Sequence, residues 1–351
     1  MRSLAAAAAV TALLIAGCTS SPGGPGPGGV RAGRGSGALP RETVRLGYVA
    51  DLAQAPVIVG IREGLFAASL GRGVKLRPVR FATDGAEAAA LAAGKLDAAY
   101  ASPDAILAVL AARHASAIVI VSGASAASPE LVVSRRLSGP SALRGHTLAV
   151  PAAGGAQDIA LRAWLASRHL STGTHGSVAV TTIPQDQAVI AAFRSGQIAG
   201  ALEPAPLDLE LAAAGGRVLA GHPGTPATAA AATANLVVTR TFLDASSAAV
   251  YGLLRGQVRA NDFLRHNLLQ SSQAIGAGLA AAGRPVPSSL LALAMAQVTF
   301  TDNPVAATLA AQAREAAAAG FPAATAIPAG LYDIAPLNLI LRAAGEPPVT
   351  S

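Results

Sequence analysis

Residues 84–113 read DGAEAAALAAGKLDAAYASPDAILAVLAAR. The segments 84–93 and 103–113 carry apolar residues at helical spacing, which predicts two helices. Between them, the short apolar run 98–101 predicts a buried strand. A strand that joins two helices through short loops favours an α/β fold, in which a mainly parallel sheet is covered by helices on both faces.

The alternation of strands and helices continues on both sides of this stretch. Further strands are predicted at 44–49, 74–81 and 117–122, with a helix at 55–69. After Ser128-Pro129 the pattern restarts, with strands at 131–134, 147–151, 178–183, 198–202, 217–220 and 235–239 and helices at 155–167, 187–195 and 206–214, and the chain from 246 onward is mostly helical. Two such patterns, joined near 124–130 and 222–235, predict two lobes and two hinge crossings. Ligands bind at the carboxyl ends of strands in α/β sheets, so we expect a cleft between the lobes.

Composition argues against several classes of function. The chain has 351 residues, of which 52% are hydrophobic, and this is enough for two buried cores. The formal net charge is +7, but the arginines are scattered and no basic cluster is interleaved with aromatic residues, which argues against nucleic acid as a partner. The six histidines occur singly, and no nucleophile elbow, phosphate loop or zinc helix is present. We therefore expect no catalytic residue, no metal and no cofactor.

The only cysteine, Cys18, directly follows a short apolar run. Arg2, the apolar residues 4–16 and the small pair Ala16-Gly17 before Cys18 resemble a bacterial lipoprotein signal peptide. In such signals the chain is cleaved before the cysteine, whose thiol carries diacylglycerol. The resemblance implies a signal peptide at 1–17, a lipid anchor at Cys18 and a flexible Gly/Pro-rich tether at 18–42, with the folded part on the extracytoplasmic side of the cell membrane. The alternatives are an ordinary secretory signal and a short buried helix.

Several short motifs resemble one family when they are taken in order. They are Arg45-Leu46-Gly47-Tyr48, Gly64-Leu65-Phe66, residues 91–99, Ser102-Pro103-Asp104-Ala105, residues 143–150 and residues 193–204. Over roughly residues 43–240 this series resembles the substrate-binding proteins of ABC importers, in the branch for nitrate, taurine, aliphatic sulfonates and thiamine-pyrimidine precursors. The resemblance implies a two-lobed type II periplasmic-binding-protein fold, with lobe I at 43–127 and 235–351 and lobe II at 128–234. It also implies a small-molecule solute, permease and ATPase subunits as partners, and a monomer.

Candidate ligand-binding residues follow the predicted strands. They are Asp51, Gln54, Ser102, Gly154, Gly155, Ala156, Gln157 and Glu203. The segment 154–157 lies between a strand and a helix, where free amides and the positive helix end can bind an anion. Each position also has a purely structural interpretation: Asp51 and Ser102 as helix caps, 154–157 as a plain helix start, and Glu203 as one partner of an arginine salt bridge.

The ligand class stays open between two alternatives. The basic chain, Ser102 and the segment 154–157 favour a small anionic or zwitterionic organic solute such as a sulfonate, taurine or nitrate. Glu203 would instead suit an amine-bearing or pyrimidine ligand, because a carboxylate repels anions. An enzyme on the same fold and a ligand sensor are the remaining alternatives, and the leader that ends at Cys18 argues against an intracellular enzyme.

Overall fold

Two β-sheets, each flanked by helices, make up the computed structural model, which describes residues 42–112, 117–173, 176–221, 231–318 and 327–351. The described residues belong to one compact unit. The signal peptide, Cys18, nearly all of the tether and the connecting residues 222–230 of the second crossing lie outside the described residues.

The elements alternate as the sequence predicts. In chain order they are β1 (Glu42–Val49), α1 (Ala55–Arg62), α2 (Leu65–Leu70), β2 (Val74–Phe81), α3 (Asp84–Ala92), β3 (Ala98–Ala101), α4 (Pro103–Ala111), β4 (Ile118–Ala127), β5 (Glu130–Ser134), β6 (Thr147–Val150), α5 (Ala156–Ser167), β7 (Ala179–Thr182), α6 (Asp186–Ser195), β8 (Gly200–Glu203), α7 (Leu207–Ala213), β9 (Gly216–Gly221), β10 (Ala231–Thr239), α8 (Arg240–Ala245), α9 (Ser247–His266), α10 (Leu268–Ala281), α11 (Ser288–Ala296), β11 (Thr299–Phe300), α12 (Ala306–Ala318) and α13 (Ala335–Ala343).

The two sheets define two lobes. The sheet of lobe I has the strand order β11-β4-β10-β3-β1-β2, and that of lobe II has the order β7-β6-β8-β5-β9. In lobe I, β1 is parallel to both β2 and β3, while β10 runs antiparallel to β3 and β4. In lobe II, β6 is parallel to β7 and β8, while β5 runs antiparallel to β8 and β9. The two-lobed α/β fold is therefore confirmed.

The chain crosses from one lobe to the other at the ends of its antiparallel strands. It leaves lobe I at the end of β4, enters lobe II at β5 after Ser128-Pro129, and returns between β9 and β10. Both β4 and β10 extend further toward the crossings than the sequence predicts. These extensions are rich in Ala, Ser and Gly, which carry no strand signal of their own, and pairing between the two strands holds them in place, as at Ala231 and Ala127.

The predicted helix 55–69 is divided into α1 and α2. Gly64 has a φ of +67°, a left-handed conformation that ends α1 and redirects the chain. Phe66 then enters the core of lobe I, where it is fully buried. A Cβ atom at Gly256 of α9 would collide with the Phe66 ring, and a Cβ at Gly252 would lie 2.9 Å from the Leu70 Cα. Small residues on α9 thus allow α2 to pack closely against it.

Replacing Gly256 by Ala should destabilise the protein. Alanine is the better helix former by about 1 kcal/mol, but overpacking against Phe66 is expected to cost about 1–3 kcal/mol. Gly276→Ala on α10 is the matched control, because its Cβ would lie at an ordinary 3.4 Å from Leu291. In urea unfolding, Gly276→Ala should be at least as stable as the wild type, and Gly256→Ala should be less stable. Equal free energies of unfolding for the two variants would refute this packing argument.

Candidate ligand-binding cleft

A cavity of about 450 Å³ lies between the two lobes, within the usual range for small-molecule sites. Lobe I contributes the residues that follow β1, β2 and β3, and lobe II those that follow β6, β7 and β8. In each lobe these three strands are neighbours and run parallel, so their carboxyl ends meet at one edge of the sheet. The cavity therefore occupies the position that the strand pattern predicts.

Asp51 lines the cavity, whereas Gln54 supports the residues that do. The Asp51 carboxylate accepts a hydrogen bond from the Gln54 backbone N–H at 2.8 Å. Gln54 is 1% exposed and is not among the described residues that line the cavity. Its side-chain oxygen accepts from the Val49 N–H (2.8 Å), and its amide nitrogen lies 3.3 Å from an Asp84 oxygen and 3.5 Å from a Glu87 oxygen. Gln54 thus orients two carboxyl groups from behind the cleft.

Ser102 combines a capping contact with a place in the cavity wall. Its hydroxyl oxygen accepts a hydrogen bond from the Ala105 N–H at 3.4 Å, at the start of α4. The hydroxyl also bonds the Asp84 carboxylate. Asp104 lies in the first turn of the same helix and lines the cavity too.

Two backbone N–H groups of the segment 154–157 already donate hydrogen bonds to carboxylates. The Gly154 N–H donates to Asp158 Oδ2 at 2.9 Å, and the Ala156 N–H donates to Asp104 Oδ1 at 3.1 Å. Asp104 belongs to the opposite lobe, so this second hydrogen bond crosses the cleft. A Cβ at Gly155 would lie 2.5 Å from Asp104 Oδ2, so the glycine permits this approach. Of the four residues, Ala156 and Gln157 line the cavity.

Glu203 ends β8 and is 3% exposed. Its Oε1 atom has no hydrogen-bond partner among the described residues, and no arginine salt bridge to it occurs there. Burial, with Asp208 as a second cause, raises the Glu203 pKa well above its usual value. Gln312 of α12 lines the same cavity at 4% exposure, and its Oε1 also lacks a partner among the described residues.

Carboxyl groups outnumber basic side chains in the described lining of the cleft, although the whole chain is basic. Five described carboxylates line it, Asp51, Asp84, Asp104, Asp186 and Glu203, together with one described arginine, Arg284. Arg284 pairs with Asp186 of the opposite lobe and donates to the Ala50 carbonyl at 3.0 Å.

The lobe I carboxyl groups hold protons more tightly than usual. Burial, with a smaller contribution from Asp84, raises the Asp51 pKa to about 7. Burial also raises the pKa of Asp84, against the lowering effects of Ser102 and Arg284, and it raises the pKa of Asp104. Behind them, burial and then Asp84 raise the Glu87 pKa to about 9. Burial is the first cause of each of these shifts, so a positive charge bound nearby would favour the ionised form of these carboxyl groups.

Sequence reasoning missed Asp84, Asp104, Asp186, Arg284 and Gln312 as cavity residues. The three aspartates lie in the first turns of helices that follow β2, β3 and β7. Asp51 and Ser102 were selected because they follow the end of a strand, and the same criterion could have selected these aspartates. Arg284 and Gln312 come from the C-terminal helical region, and no local pattern places them at the cleft.

Two further properties hold for the part of the chain that the structure describes. No helix within it is long and apolar enough to cross a membrane. No group of three or more His, Cys, Asp or Glu side chains within it is arranged to hold a metal ion.

A two-lobed α/β unit with a cleft at facing strand ends defines the class of periplasmic binding proteins. Residues 37–275 match the NMT1-like family, and the chain belongs to that family. No curated protein sequence gives a significant match.

Solved structures share the fold at low sequence identity. The alkanesulfonate-binding protein SsuA from Xanthomonas axonopodis pv. citri, bound to MOPS, has a TM-score of 0.67 and 18% identity, covering 84% of this chain and 99% of its own. The zinc-bound ligand-binding component of an ABC-type import system from Staphylococcus aureus has a TM-score of 0.67 and 13% identity, with 84% and 98% covered. The periplasmic nitrate-binding protein NrtA from Synechocystis PCC 6803 has a TM-score of 0.63 and 14% identity, with 79% and 81% covered.

Proposed function

We propose that this protein is the extracytoplasmic solute-binding component of an ABC importer and that it captures a small amine-bearing solute, cationic or zwitterionic, in the cleft between its lobes. The carrying observation is the cleft lining, in which one of five carboxyl groups, Asp186, is paired with the single described arginine and the other four are not. The family and the shared fold support the role in import, and the cleft charges support the class of ligand.

The carboxyl groups of the cleft favour an amine-bearing ligand over a pure anion such as a simple sulfonate or nitrate. An anion in the cavity would lie among carboxyl groups, and their ionised forms would repel it in a medium less polar than water. The Gly154 and Ala156 amides, which made an anion plausible, donate to Asp158 and Asp104 in this conformation. A protonated amine instead donates hydrogen bonds to carboxylate and amide oxygens, including the partnerless oxygens of Glu203 and Gln312.

Closure follows from the fact that both lobes line the cavity. A ligand that contacts both lobes is bound fully only when they are closed, so its binding shifts the population toward the closed form. Two contacts join the lobes across the cleft in this conformation, Asp104 to Ala156 and Arg284 to Asp186. We propose that the hinge lies at the crossings near residues 124–130 and 222–235, of which 222–230 are outside the described residues, with lobe I at 43–127 and 235–351 and lobe II at 128–234.

A panel of small solutes tests the ligand class. Melting temperature and small-angle scattering should be measured with amines (ethanolamine, 1,4-diaminobutane, agmatine), with taurine, and with methanesulfonate and nitrate. We expect at least one of the amines to raise the melting temperature and reduce the radius of gyration, and both pure anions to do neither. Stabilisation and compaction by methanesulfonate or nitrate alone would contradict the proposed ligand class.

The proposal includes a lipid anchor on Cys18, with the tether 18–42 linking a monomeric binding unit to the membrane beside its permease and ATPase. Two or more acyl chains are needed for stable anchoring, because each buried methylene contributes only about 0.8 kcal/mol. In detergent phase separation, the wild type expressed in a bacterial host should enter the detergent phase, and Cys18→Ala should enter the aqueous phase. Equal partition of the two proteins would refute the anchor.

A further inference from the structure

Carboxyl groups at the cleft and directly behind it form two clusters that belong to different lobes. Cluster I contains Asp51, Asp84 and Asp104, which line the cavity and follow the neighbouring strands β1, β2 and β3 of lobe I. Cluster II contains Glu203 at the end of β8, which lines the cavity, and Asp208 in the first turn of α7, which is not among the described lining residues; both belong to lobe II. Within each cluster the carboxylates act on one another electrostatically, as Asp84 does on Asp51 and Asp208 on Glu203.

Cluster II also contains an oxygen atom without a hydrogen-bond partner among the described residues. This atom is Glu203 Oε1, and Glu203 is 3% exposed. A buried polar atom without a partner is costly, and such atoms are rare in folded proteins. Glu203 and Gln312, whose Oε1 is also partnerless, both line the cavity. These unused acceptors indicate a donor that enters with the ligand.

We propose that the ligand carries two positively charged groups, one bound by cluster I and the other by cluster II, as in a short diamine or polyamine. This inference rests on the proposed function, since it specifies the solute of the same cleft. A monoamine that pairs with one cluster would leave the other buried without a charged partner, so its carboxyl groups would stay protonated or bear the cost of an unpaired buried charge.

Such a ligand would also couple binding to closure. Without it, closing the cleft brings two groups of carboxylates toward each other. A dication placed between them converts that repulsion into attraction to both lobes, so the ligand supplies the difference in affinity that favours the closed form. Arg284 provides only part of this compensation, because it is paired with Asp186.

Titration calorimetry with α,ω-diaminoalkanes of three to eight carbons and with butylamine tests the inference on the whole protein. One diamine should bind at least about tenfold more tightly than butylamine, a difference of about 1.4 kcal/mol. Asp84→Asn in cluster I and Glu203→Gln in cluster II should each remove most of the advantage of the diamine. Asp244→Asn, an exposed carboxylate on α8, is the matched control and should leave it unchanged.

The outcomes separate this inference from the proposed function. If butylamine binds as tightly as every diamine, the dication is refuted while an amine-bearing solute stands. If the diamine advantage survives both cluster variants, the two clusters are not its source and the inference fails. If no amine binds and methanesulfonate does, the proposed ligand class fails as well.

Discussion

The variant Glu203→Gln is expected to bind an amine ligand about 100-fold more weakly than the wild type, because truncating one partner of a buried charged hydrogen bond costs about 2–5 kcal/mol. Glutamine keeps the size of the side chain and one acceptor oxygen but removes the negative charge. The substitution therefore tests the charge of Glu203 separately from its packing. Titration calorimetry at pH 8 with the tightest-binding amine gives the affinity ratio.

The same variant should be more stable than the wild type when it is free of ligand at pH 8. Burial raises the Glu203 pKa, so ionising this carboxyl group costs free energy in the folded protein but not in the unfolded chain.

Glu63→Gln is the matched control for the loss of amine affinity, since Glu63 is an exposed carboxylate at the end of α1. Unchanged amine affinity in Glu203→Gln, or an equal loss in Glu63→Gln, would exclude Glu203 from the binding site.

The stability of the ligand-free protein is expected to fall as pH rises from 5 to 9. The pKa of Asp51 is raised to about 7 and that of Glu87 to about 9. A carboxyl group whose folded-state pKa is raised contributes stability below its unfolded pKa, and that stability is lost as pH rises through the folded value. Because one pKa unit corresponds to about 1.4 kcal/mol, the total loss is expected to be on the order of several kcal/mol.

The variant Glu87→Gln tests the loss of stability between pH 7 and 9. Glu87 is fully buried; its Oε1 accepts the Tyr100 N–H at 3.0 Å, a bond that glutamine can keep. The charges that act on Glu87 are those of Asp84 and Asp51. In urea unfolding at each pH, the variant should lose less stability than the wild type between pH 7 and 9. A wild-type stability that rises over this range, or identical slopes for both proteins, would refute the assignment.

The architecture could be predicted because it depends on local patterns. Apolar runs and helical spacing predict the strands between residues 42 and 239 and the helices that lie between them, but for the chain after residue 246 they predict only a mostly helical region. Asp51, Ser102 and Glu203 were selected because they follow strands, and all three line the cavity. The division at Gly64 was missed because a glycine within an apolar pattern does not reveal its φ angle. The far ends of β4 and β10 were missed because their small residues form strands only through pairing with each other.

The charge of the cleft could not be predicted from the net charge of +7. That value counts charges without locating them, and the fold brings Asp51, Asp84 and Asp104 together from three separate loops. The loop sequence alone predicts an anion site at the amides of residues 154–156. Their partner Asp104 lies 52 residues from Ala156 along the chain and on the other lobe, so only the tertiary structure shows the contact.

The proton balance of binding tests most directly whether a cation enters this carboxylate cleft. 1,4-Diaminobutane should be titrated into the protein at pH 7 in two buffers that differ in ionisation enthalpy, with methanesulfonate as the comparison. We expect the diamine to bind with net release of protons, because a positive charge near Asp51, Asp84 and Glu203 lowers pKa values that burial has raised. Net proton uptake by the diamine, or binding of methanesulfonate in its place, would contradict a cation-binding cleft.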